Sequence, residues 1–189
     1  YGNQSVILVP GRLTSWKGHK FAIQALSIMK NKNVKMIMVG DVQKRESYKK
    51  YLLKYSSKLG VRDQLSIVGH LRDMPAMMMI SDAVLSCSEK PEAFGRIILE
   101  AQAMGRPVIA FNHGGARELV KNNENGYLVE KGDVNKLAKC MSEVIKMKAI
   151  DRKKLSAISI KNVSKLYLTS HMCDKNIELY KEVVNTFFK

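Results

Sequence analysis

Three cysteines, Cys87, Cys140 and Cys173, are the full complement in 189 residues, and their spacing fits no metal site. So sparse and odd a set argues against a disulfide framework and leaves reduced thiols as the reading. No apolar run is long enough to span a bilayer, and the first residues carry no signal-peptide pattern. No internal repeat, low-complexity tract or linker divides the chain, so a single domain over 1–189 is expected. No G-x-G-x-x-G follows the first apolar run, which argues against a nicotinamide dehydrogenase. No Gly-Lys-Ser/Thr phosphate loop occurs, which argues against a nucleoside triphosphatase. No His/Asp/Cys cluster stands ready for a metal, so neither metal nor cofactor is expected.

Acidic residues are also scarce. Lys and Arg number 32 against 17 Asp and Glu, for a net charge of +15. Such a balance admits nucleic acid, an anionic membrane surface or an anionic substrate. Arg is rare beside Lys, and the few aromatics fall mostly at helical core spacing, so support for base reading is weak. Tyr1-Gly2-Asn3-Gln4 stands directly before the first strand, the start expected of a fragment of a larger enzyme.

What is present alternates between strand and helix. Ser5–Pro10 is a short apolar run that reads as a buried parallel strand. A loop between Gly11 and Gly18 leads to a helix over 19–30, with Phe21, Ile23, Ala25, Leu26 and Met29 inward. Val34–Val39 reads as the second strand. A helix over 46–59 follows, with an apolar stripe of Tyr48, Tyr51, Leu52, Tyr55 and Leu59 and with Lys49, Lys50, Lys54 and Lys58 away from it. Leu65–Val68 is a third strand, ending at Gly69-His70. The Met-rich stretch 74–80 is a short helix that fills core or walls a pocket. Ala83–Ser86 and Val108–Phe111 are further strands, and 126–129 is a sixth. Helices near 134–146, 151–167 and 173–188 close the chain. The pattern predicts an α/β fold: a Rossmann-like parallel sheet of about six strands with helices on both faces. Ligands of such sheets bind at the carboxyl ends of the strands, near the reversal of strand order. The loops after strands one, three, four and five, with Arg12 and Lys17, His70, Glu92 and Gly114, are expected to converge there.

The stretch from Pro91 to Phe111, PEAFGRIILEAQAMGRPVIAF, organises the rest. Glu92 lies in a loop, Gly95 at a helix start and Glu100 inside that helix, which Arg106-Pro107 ends. A helix N-terminus offers unpaired N–H groups and a partial positive charge, which suit a phosphate. Helical side chains lean toward the N-terminus, so Glu100 reaches toward whatever is bound there, with a carboxylate that accepts from hydroxyls. A phosphate flanked by two hydroxyl acceptors describes a nucleotide sugar.

Extended through Asn112-His113-Gly114-Gly115, the stretch resembles the signature of the retaining glycosyltransferases of family 4, which have the GT-B fold. The loop GRLTSWKG resembles the same family's Gly-Arg-Leu, three residues, Lys-Gly motif. The resemblance implies the donor-binding, C-terminal half of such an enzyme, with the N-terminal acceptor domain absent from this chain. It implies catalytic roles for Arg12 and Lys17 on the donor diphosphate and for Glu92 on donor-sugar hydroxyls. It places Gly11 and the backbone of Phe94, Gly95, Arg96 and Ile97 at the diphosphate and Glu100 on the ribose. His70 and Leu71, within 69–72, would line the base pocket. Gly114, Gly115 and Glu118 match a Gly-Gly…Glu segment, read equally well as a tight turn and helix start. The implied reaction moves a sugar from a nucleoside diphosphate to an acceptor, a cell-envelope glycolipid or polysaccharide precursor. The expected location is cytoplasmic, with peripheral contact at the inner face of the plasma membrane.

Other readings are weaker. A glycosidase acid/base pair must face across one bond, whereas Glu100 sits well inside a helix. A GT-B sugar-nucleotide epimerase shares the nucleotide grip but not the full signature. A basic nucleic-acid or membrane module rests on charge alone. The last helix carries Leu179, Tyr180, Val183, Val184, Phe187 and Phe188, which either cap this domain's own core or pack on the missing half. Full burial of Val184, Phe187 and Phe188 within the chain would remove any need for that half.

Overall fold

The computed structural model describes residues 4–42 and 46–187. Its elements run β1 Ser5–Pro10, α1 His19–Met29, β2 Val34–Val39, α2 Glu46–Lys58, β3 Leu65–Val68, α3 Met74–Met79 and β4 Ala83–Ser86. They continue with α4 Arg96–Ala103, β5 Val108–Phe111, α5 Ala116–Leu119, β6 Tyr127–Val129, α6 Val134–Ile145, α7 Ala149–Leu166 and α8 Thr169–Phe187. The apolar runs become strands because a sheet covered on both faces has no polar side to mark. Within β1, Ile7 and Val9 enter one core, and Val6 and Leu8 enter the other. The first core holds Ile23 and Leu26 of α1, Leu52 of α2, and Leu137 and Met141 of α6. The second holds Met78 of α3, Ile98 and Leu99 of α4, and Leu119 of α5. Helices thus cover both faces of one sheet.

All six strands pair in parallel, in the order β3-β2-β1-β4-β5-β6. The order runs outward in one direction through β1, β2 and β3 and in the other through β4, β5 and β6. The reversal lies between β1 and β4, so their carboxyl ends open on the crevice where ligands of such sheets bind. Capping sharpens the helix starts: Asp73 accepts from Ala76 N at 2.9 Å, and Asp133 from Lys136 N at 2.8 Å.

Three expectations change. The helix after Gly95 stops at Ala103, ahead of Arg106-Pro107, because Gly105 N and Arg106 N already turn back to Gln102 O and Ala101 O, both at 2.9 Å. The α2 stripe is narrower than its periodicity: Leu52 is buried, but Tyr51 is exposed and stacks between Tyr48 and Tyr55 at 6.0 and 5.7 Å. The last helix begins at Thr169 and buries no residue, with Val184 and Phe187 exposed by 55% and 76%. The domain's own core therefore does not use that face. Phe188 lies outside the described residues.

Candidate functional site

Each predicted side chain reaches the site through a strand end. After β1, Gly11 and Arg12 lead into a short 3-10 turn, Ser15–Lys17, that carries Lys17. After β4, the loop through Ser88 and Glu92 ends at Gly95, the N-cap of α4. Gly95 has φ 90°, a conformation that costs a residue with a Cβ one to two kcal/mol by order of magnitude. A cleft of about 500 Å³ opens between the two loops, lined by Gly11, Arg12, Lys17, Glu92, Ala93, Phe94, Gly95, Arg96, Ile97 and Glu100. A second cleft, of about 530 Å³, shares Arg96 and Glu100 with it and continues past His70, Leu71, Arg72, Met74, Pro75 and Met78. All eleven residues expected from the sequence line one or the other. Met74 and Met78 wall the second cleft while Met78 also fills core, so both readings of the Met cluster hold.

The charges are arranged more closely than the sequence suggests. Lys17 is no free cation: its Nζ lies 2.6 Å from Glu92 Oε1 and 4.5 Å over the Trp16 ring. The Arg12 guanidinium sits 5.9 Å from the same ring, exposed, with no carboxylate at ion-pair distance among the described residues. Trp16 therefore props both cations, a role that nothing in the loop's spacing announces. Glu100 does lean back along its helix, with Oε1 3.3 Å from Arg96 at the first turn. Burial alone would raise the Glu92 carboxyl. Hydrogen bonds from Lys17 and Ser88, then the charges of Lys17 and His113, outweigh it and hold the group below the ordinary carboxylate range.

Behind the cleft, Ser88 and His113 take roles that the sequence reading did not assign, and the Gly-Gly pair shows what it is for. Ser88 Oγ donates to Glu92 Oε1 at 2.5 Å. His113 Nε2 stands 2.8 Å from the carbonyl oxygen of Ser88. Gly115 N donates to Glu92 O at 2.9 Å, and a Cβ at Gly115 would lie 2.3 Å from Phe94 O. The Gly-Gly pair thus lets the loop after β5 seat the backbone of the Glu92 loop, whereas Glu118 points to solvent. Under Lys17, the fully buried His19 packs edge-on to Tyr48 with ring centroids 6.0 Å apart. Burial, opposed by the Thr14 backbone and aided by the Lys17 charge, pushes its imidazole down to about 4. Burial likewise pushes the Cys87 thiol up to about 12, an inert group beside the site.

The family model for glycosyl transferases group 1 matches residues 1–162, which include every residue of both clefts. The chain belongs to that family. A glycosyltransferase from Rickettsia africae superposes with a TM-score of 0.93 at 34% identity, over 97% of this chain and 49% of that one. Anabaena Alr3699/HepE, solved with UDP and glucose, gives 0.88 at 30% identity, over 95% and 48%. The capsular polysaccharide biosynthesis glycosyltransferase CapM of Staphylococcus aureus is 32% identical over 144 residues, 74% of this chain and 36% of that protein. This group 1 chain thus spans about half of each of these two solved structures and between about a third and a half of its curated relatives. Among its described residues no helix is long and apolar enough to cross a membrane, and no three His, Cys, Asp or Glu side chains gather as for a metal ion.

Proposed function

We propose that the chain is the donor-binding half of a retaining family 4 glycosyltransferase that takes a sugar from a nucleoside diphosphate. The observation that carries this is the convergence of Arg12, Lys17, Glu92, Glu100 and the N-terminus of α4 on one cleft at the strand reversal. Breaking the sugar–diphosphate bond puts negative charge on the leaving diphosphate. Preorganised cations and helix amides stabilise that charge best when already in place before the reaction. Arg12, Lys17 and the amides near Gly95 meet this need. Glu92 accepts from sugar hydroxyls, Glu100 from the ribose, and the cleft past His70 takes the base.

The acceptor is a cell-envelope precursor in this reading, supported by relatives named for capsule and lipopolysaccharide core synthesis. Its binding residues belong to an N-terminal half, so this domain binds donor without turning it over. The uncovered apolar face of α8 is where that half would pack. Calorimetry with UDP-glucose, UDP-N-acetylglucosamine and GDP-mannose, set against a salt titration with DNA, tests the reading. Saturable binding to at least one nucleotide sugar supports it. Binding to DNA alone overturns it in favour of a basic module.

Glu100→Gln keeps the shape and loses charge-assisted acceptance. It is expected to weaken nucleotide binding about fivefold to tenfold, and a 2′-deoxy ligand less. Equal affinity of mutant and wild type for both ligands rules out the ribose assignment. Peripheral membrane contact would use the α2 lysines, of which Lys50, Lys54 and Lys58 are exposed and Lys49 half-buried. Vesicle binding should then rise with anionic lipid content and fall on charge reversal of all four. Binding indifferent to both ends that idea.

A further inference from the structure

Glu92 has to hold its place on a loop whose neighbours Pro91, Ala93 and Phe94 are exposed. Its Oε1 takes two donors, Lys17 Nζ at 2.6 Å and Ser88 Oγ at 2.5 Å. Oε2 has no partner among the described residues, so it is the acceptor left for a third donor. The two anchors are not equivalent. Lys17 lines the cleft, and an incoming diphosphate competes with Glu92 for its ammonium. Ser88 is 3% exposed and lines the narrow space behind the carboxylate, not the cleft that would take the diphosphate.

Ser88 is itself held. A carbonyl oxygen only accepts, so the His113 N–H that meets Ser88 O is on Nε2. The ring's other nitrogen, Nδ1, is buried with no partner among the described residues. The space beside it, about 10 Å³ between Ser86, Ser88, Glu92 and His113, is at the lower limit for one water. A loop after β5 thereby pins the backbone of a loop after β4, and the second loop's hydroxyl pins the carboxylate.

We propose that Ser88 and His113 are positioning residues for recognition of the donor's sugar: Ser88 orients Glu92, His113 fixes Ser88, and neither touches the donor. The inference rests on the donor-binding reading and adds to it a division of labour. Once Lys17 turns to the diphosphate, the Ser88 hydroxyl is the contact that still aims Glu92 Oε2 at a sugar hydroxyl. Loss of Ser88 therefore matters for a nucleotide sugar and not for the bare nucleoside diphosphate.

The test titrates the 189-residue chain with UDP-glucose, UDP-N-acetylglucosamine and GDP-mannose, each against its own nucleoside diphosphate. For whichever pair binds wild type, Ser88→Ala should weaken the nucleotide sugar about tenfold and the diphosphate by less than about twofold, the loss of one charge-assisted hydrogen bond. His113→Ala should lose in the same ratio but less, and His113→Gln, which still offers a donor to Ser88 O, should recover most of it. Carbon-13 titration of the Glu92 carboxyl, assigned with Glu92→Gln, should move upward in Ser88→Ala, because one donor holding it down is gone. That readout does not depend on donor binding. Equal losses for sugar and diphosphate, or a carboxyl that does not move, overturn the positioning role and leave the donor-binding reading intact. A wild-type chain that binds no nucleotide sugar overturns that reading and this proposal with it.

Discussion

Lys17→Ala is expected to weaken nucleoside diphosphate binding about a hundredfold while leaving the bare nucleoside within about twofold. Lys17 is 12% exposed and Glu92 21%, so the pair is shielded enough for its hydrogen bond to count. The ammonium has two uses. Without donor it neutralises Glu92, and with donor it meets the diphosphate. Alanine removes both, and the Glu92 carboxyl, left with Ser88 alone, rises from its depressed position because burial still disfavours its charge. The empty protein should also lose about 1–2 kcal/mol of stability at neutral pH, the cost of a half-buried carboxylate deprived of one donor. Arg12→Ala should cost the diphosphate about tenfold, less than Lys17→Ala because the guanidinium is exposed and shares its charge with solvent. Calorimetry with UDP and uridine separates the effects. Similar losses for both ligands would refute the diphosphate clamp.

Much of this architecture is legible locally. Every strand was readable because each run is short and mostly apolar, with Lys35 in β2 and Ser66 in β3 as interior breaks, and is followed by Gly, Pro or a polar loop. The site was readable because two motifs at strand ends must meet if the sheet is doubly wound. What local pattern does not carry is through-space order. Nothing near Lys17 says that Glu92, 75 residues on, takes its ammonium, or that Trp16 stacks beneath it. Ser88 reads as an ordinary loop serine, and His113 as one polar residue in a turn. Only the register of β4 against β5 brings those loops together. The α2 tyrosines show the opposite failure. Their helical spacing is right, yet Leu52 takes the buried place on that face, and Tyr51 stays outside, stacked between its neighbours. The apolar face of α8 was legible as apolar, and its exposure has no local signal at all.

Acidification from pH 6.5 to 4 is expected to destabilise the chain by about 3 kcal/mol through His19. The sequence offers His19 only as the first residue of a helix, yet it has no exposed surface. Neither ring nitrogen, nor the buried Thr14 hydroxyl beside it, has a partner of good hydrogen-bond geometry among the described residues. Among the described residues the charges that act here are Lys17, in the turn before α1, and, on the Tyr48 ring of α2, Glu89 after β4. Burial dominates, so the folded imidazole holds a proton only below about 4, against 6.5 for the free group. Between those values the unfolded chain takes up a proton that the folded chain refuses, so stability rises with pH. The contribution is complete above 6.5 and drains away as pH falls toward 4. Glu92 acts in a different window: its depressed carboxyl supports the fold above the ordinary carboxylate value and stops doing so at more acid pH. Melting curves of wild type and His19→Leu from pH 4.5 to 7 isolate the histidine. Wild type should lose roughly 5–10 °C more than the variant across that span, by the usual conversion for a domain of this size. Parallel melting profiles for the two proteins would mean that His19 titrates as an ordinary histidine and that its burial does not govern the acid limb.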